Sequence, residues 1–123
     1  MKRLEKLRMK FFISFSDDWV ALWELIRMVK EIYGFEAQNE IQTFVLKFIY
    51  NLLSDKLICV GFPKKGGNFD SWKGDSMELI QRIKDEWDAL GKEPNIGDVV
   101  WFDLTEKGEA KLKHLQSLNR RQN

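Results

Sequence analysis

The chain has 123 residues, 44% hydrophobic and 13% aromatic with five Trp and nine Phe, enough for one substantial core, so a single domain over 1–123 is expected. One cysteine, Cys59 in the apolar stretch LICV, excludes an internal disulfide framework and suggests a small buried thiol in a reducing compartment. No apolar run approaches the roughly 20 residues that a membrane-spanning helix needs. Twenty basic residues nearly balance nineteen acidic ones, but unevenly: residues 1–10 and 111–123 each carry roughly +4, leaving about −7 between them.

The N-terminal MKRLEKLRMKFFISF has the basic start of an export signal. Its apolar run Phe11 to Phe15 is short, however, and meets Ser16, Asp17 and Asp18 instead of small residues, so a cytoplasmic location is expected. A helix is predicted over about 18–33, turning Trp19, Leu22, Trp23, Ile26 and Val29 inward and ending at Gly34. NEIQTFVLKFIYNLL places Ile41, Phe44, Val45, Phe48, Ile49, Leu52 and Leu53 at three- and four-residue intervals. That spacing predicts a core helix over about 39–54, capped by Asn39 with Gln42 returning the bond. LICVGF, 57–62, reads as a buried strand, and PKKGGNFDSWKGD, 63–75, as a loop. A capping box of Asp75 or Ser76 with Glu78 opens a further helix, with Ile80, Ile83, Trp87 and Leu90 on one face and Gly91 and Pro94 at its end. NIGDVVWFDL then reads as a second strand, and Thr105 as the cap of a last helix bearing Ala110, Leu112, Leu115 and Leu118.

That order, with the junction WFDLTEKGEAKL, resembles winged-helix proteins, notably MarR-type regulators, through Leu104, Thr105, Glu106, Lys107 and Gly108. The resemblance covers 17–62 and 97–115. It implies an α+β fold: a winged-helix-like core of two or three helices plus an antiparallel hairpin, with a helix inserted between the strands and a C-terminal helix. Two departures stand out. The wing connection, 63–96, is roughly 34 residues long where hairpin loops have about two to five, and only two helices precede the first strand unless one lies within 1–15.

A DNA-binding regulator of this kind would read bases with Gln38, Asn39 and Gln42 and hold phosphates with Lys47. Yet residues 17–62 carry seven acids against four bases, a balance that repels a polyanion. Catalysis is not expected. His114 is the lone histidine and reads as a surface residue, and one His with one Cys cannot build a common structural zinc site, which needs about four ligands. Lys64, Lys65, Gly66 and Gly67 are out of order for a phosphate loop. No metal or cofactor is expected.

The remaining class is binding. Asp70, Trp72, Asp75, Glu78, Asp85, Glu86 and Asp88 form an acidic, Trp-bearing segment suited to a basic protein surface, although the acids of the helix also fit a solvated face and Trp72 could simply pin the loop. The DWVALWELI, FDSW, EWDALG and VVWF elements give the chain an overall character that resembles immunity proteins of contact-dependent inhibition systems. That resemblance implies stoichiometric binding and neutralisation of a cognate toxin, often a basic nuclease.

Overall fold

The computed structural model describes residues 2–121, with side chains to Leu118, so the side chains of Arg120 and Arg121 in the basic C-terminal run lie outside the described residues. The architecture is α+β, five helices and one four-stranded antiparallel sheet. In chain order the elements are α1 (Arg3–Ser14), β1 (Val20–Ala21), α2 (Leu22–Tyr33), α3 (Gln38–Ser54), β2 (Ile58–Pro63), β3 (Phe69–Ser71), α4 (Ser76–Leu90), β4 (Trp101–Leu104) and α5 (Glu106–Arg121). Strand order is β1-β4-β2-β3.

The apolar run that imitated a signal segment is core. Leu7, Phe11 and Phe12 of α1 are fully buried, and the Phe11 ring meets Phe12, Phe15, Phe48 and Phe102 edge-on at centroid distances of 6.0, 5.2, 5.5 and 5.6 Å. Such edge-to-face pairs match the positive ring edge to the negative face. One phenylalanine thus ties α1 to α3 and to the sheet. The helix within 1–15 is therefore present, and three helices precede β2.

Tertiary pairing shortens the next predicted helix. Asp18 accepts its neighbour Trp19's N–H at 2.7 Å, Val20 and Ala21 lie extended against Phe102 and Trp101, and Glu24 accepts the Ala21 N–H at 2.9 Å. The helix begins at Leu22, whose N–H goes to the Val100 carbonyl at 3.1 Å. Its end is as expected: Gly34 adopts the left-handed conformation (φ 71°) and its N–H reaches the Lys30 carbonyl. At α3 the predicted cap fails, because the helix opens one residue early behind Ala37 with no side-chain cap.

β2 and β4 pair antiparallel, Ile58 with Leu104 and Gly61 with Trp101, which joins the two predicted strands across the long insertion. The insertion is more ordered than a loop: Gly66 and Gly67, at φ 95° and 91°, turn the chain so that β3 pairs back onto β2. The second predicted strand keeps only its last four residues. Upstream, Asp98 accepts the Asn95 N–H at 2.9 Å and Val99 is held at φ 70°, so the backbone there turns.

The strand-to-helix junction is built as its sequence implied. Thr105 Oγ1 accepts the Gly108 N–H at 3.0 Å and donates to the Lys56 carbonyl at 2.6 Å, capping α5 and tying it to the α3–β2 turn. A Cβ on Gly108 would stand 2.0 Å from the Leu57 carbonyl oxygen, so only glycine permits this approach. Thr105→Ala removes both bonds and is expected to lower stability by about 1–2 kcal/mol in urea unfolding. An unchanged unfolding midpoint would show that neither bond stabilises the junction.

Candidate functional site

The seven acidic-segment residues do not converge. Asp75 caps α4: its carboxylate accepts the Glu78 N–H at 2.9 Å, and Glu78 returns to the Asp75 N–H at 3.4 Å. Asp85 accepts from Gln81 at 2.8 Å, Glu86 pairs with Arg82 at 2.8 Å, and Asp88 pairs with Lys84 at 2.6 Å. All three are bonds one helical turn back, the ordinary spacing for neighbours on a helix face. Glu86 and Asp88, two residues apart at about 3.6 residues per turn, sit on opposite flanks of α4. Asp70 lies on β3 with Lys64 at 3.8 Å. Trp72 is half-buried against the core with the Arg82 guanidinium 3.5 Å from its ring centre, so the chain already occupies that ring. With its bases counted, the insertion 63–96 holds six cations against seven acids.

On the inward side of α4, Leu79, Ile83 and Trp87 are buried and the helix packs on α3. Gln42, instead of returning a cap, donates to Asp88 at 2.9 Å. Gln38 and Asn39 border a shallow groove with Trp87, Asp88 and Glu93. Three of the four residues named as DNA contacts thus lie along the end of α4, in a groove lined also by Asp88, Lys92 and Glu93, while Lys47 remains exposed on another side of α3.

Sequence reasoning did not find the surface that the sheet leaves open. Ile58, Val60, Phe102 and Leu104 point to the core, so alternation sends Cys59, Gly61, Trp101 and Asp103 to the opposite face. Trp101, Trp19 and Phe69 are half-buried, and none of them belongs to the hydrophobic core or packs against it. Trp19 flanks one edge strand and Phe69 lies in the other, yet their rings approach to 5.9 Å. A Cβ on Gly61 would meet the Asp70 carbonyl oxygen at 2.0 Å, so this centre of the sheet is held without a side chain. Cys59 is half-buried there with Sγ 3.7 Å from the Asp103 carbonyl, and burial pushes its thiol pKa up, away from the reactive thiolate.

Beside this face, α5, β4 and the α1–β1 turn enclose an open cleft of about 490 Å³. Asp17, Asp18, Asp103 and Glu109 line it with Trp19 and the single base Lys113. Among the described residues none of these four carboxylates has a cation within 4.0 Å, in contrast to Glu86 and Asp88 of α4. The described residues bring together no cluster of three or more His, Cys, Asp or Glu able to hold a metal ion.

Comparison with known proteins places the chain beside none of them: no family model, no curated protein and no solved structure matches it. No helix is long and apolar enough to cross a membrane among the described residues.

Two of the paired acids lead to an expected loss of stability in acid. The Glu78 backbone N–H holds the Asp75 carboxyl below the ordinary carboxylate range, and the Lys84 ammonium does the same for Asp88. With folded values below unfolded ones, their contribution to stability is full above the ordinary carboxylate range. It is lost as pH falls through the lower folded values. Urea unfolding from roughly pH 6 to 2 is expected to show that loss, and Asp88→Asn to reduce its steepness. An acid limb unaltered in the variant would remove Asp88 from it.

Proposed function

We propose that this chain is a winged-helix-like protein of the immunity or inhibitor class, which neutralises a cognate toxin by stoichiometric binding. The fold reading is supported by three helices ahead of an antiparallel β2–β4 pair and by the capped junction at Thr105. The observation that carries the function is the open sheet face, where Trp19, Phe69 and Trp101 lie outside the core. Half-buried aromatics gathered outside the core are of the kind from which interface anchors are made. The alternative, a DNA-binding regulator, is opposed by the placement of Gln42 against Asp88 and of α4 beside α3.

The test is co-expression with the products of the flanking genes, each first assayed for toxicity when expressed alone. A one-to-one complex and suppressed toxin activity are expected, with Trp101→Ala speeding dissociation by roughly tenfold, as loss of an interface anchor does. Sequence-selective duplex binding at submicromolar protein, weakening steeply with salt, would replace this reading with the regulator.

A further inference from the structure

β2 has one stretch of edge that the sheet does not use. We propose that this edge, set between the end of α3 and the start of α4, binds an extended segment of a partner protein by adding it to β2 as a short strand. The site works through backbone pairing and is independent of the aromatic face.

Register fixes which way the backbone groups of β2 point. Thr105 donates its N–H to the Leu57 carbonyl at 3.1 Å and Ile58 stands opposite Leu104, so Leu57, Cys59 and Gly61 turn their N–H and C=O groups toward β4. Ile58 and Val60 therefore turn theirs to the other side. There β3 pairs only from Gly61 onward, against Ser71, and the last bond runs from the Trp72 N–H to the Val60 carbonyl at 2.8 Å. The chain then leaves, because Gly74 at φ 142° and the Asp75–Glu78 cap commit it to α4. Among the described residues the Ile58 N–H, the Ile58 carbonyl and the Val60 N–H have no protein partner.

These groups are withdrawn from solvent as well as unpaired. Ile58 is 3% exposed and Val60 0%, and a buried backbone group without a bond costs free energy comparable to a lost hydrogen bond. Both residues border a groove of about 520 Å³, where Leu53, Leu79 and Trp72 supply apolar surface and the exposed Lys56 and Asp75 a polar rim. An extended peptide meets both demands. Its backbone presents donors and acceptors at the strand spacing, and its alternating side chains send one apolar residue toward Leu53, Leu79 and Trp72. The free stretch is about 10 Å of strand, room for about three residues. Because it is recessed between two helix ends, a thin flexible segment reaches it, whereas the edge strand of a second folded copy is held off.

The experiment uses the intact ¹⁵N-labelled protein and three capped pentapeptides, Thr-Thr-X-Thr-Thr with X valine, leucine or phenylalanine, each beside analogues N-methylated at odd or at even positions. Saturable downfield shifts are expected at the Ile58 and Val60 amide protons, with smaller ones at Cys59 and Gly61, whose N–H groups already face β4. Hydrogen exchange at Ile58 and Val60 should slow by roughly tenfold at saturation. The N-methylated series that masks the edge-facing N–H groups should bind weaker by roughly tenfold or more. Failure of all three peptides to saturate, shifts centred away from Ile58 and Val60, or binding indifferent to both N-methylated series would each overturn the assignment. So would two other results: protection of these amides that rises with protein concentration alone, which gives the edge to a second copy, and amides that peptide leaves unchanged, which gives it to bound water.

Discussion

The contact on which the rest of the molecule depends is the edge-on meeting of Phe11 with Phe102, 5.6 Å between ring centres. Phe102 is opposite Val60 on β2 and Val20 on β1, so it lies on a strand paired on both sides. Phe11 brings α1 there and, through Phe48, α3 as well. Once Phe102 faces inward, the pleat leaves no choice for its neighbours: Trp101 and Asp103 must face outward. The open aromatic face and one acid of the cleft are therefore set by the same strand residue that fixes the core.

Much of the fold was legible wherever a local interaction decides the backbone. The Thr105 cap, the Asp75–Glu78 box and the left-handed glycines 34 and 91 all bond within a few residues of themselves, and the sequence carries those bonds openly. What local chemistry hides is long-range. β1 consists of two residues made extended by β4, some 80 positions later, and the helical pattern of Trp19, Leu22, Trp23 and Ile26 runs straight through it. The β3 hairpin was readable in principle, since two glycines between apolar segments mark a tight reversal, but only three residues pair beyond it.

The candidate site was less legible, for a related reason. Acidic residues were counted without their partners, although Arg82 with Glu86 and Lys84 with Asp88 stand at the four-residue spacing that neutralises both on any helix. The carboxylates without cations come from a turn, a strand and a helix, and nothing in their sequence positions reveals that they line one cleft. Trp19 shows the same limit: periodicity assigned it to a core-facing stripe, whereas pairing of Val20 with Phe102 turns it outward.

Near-neutral net charge is what such a division of labour yields. A helix whose acids are each answered by a base or an amide contributes little field beyond its own surface, because opposite charges within a few ångströms cancel at a distance. Uncompensated acids in a cleft keep their field, and the partly enclosing walls focus it outward. In α4, Glu86 and Asp88 are each answered by a base one turn back, while the acids around Trp19 have no cation within 4.0 Å among the described residues. α4 is left with a mechanical role, packing Leu79, Ile83 and Trp87 against α3 and holding Gln42 through Asp88. A helix placed there covers one side of α3 and takes up part of its polar edge, leaving the outward face of the sheet on another side of the molecule.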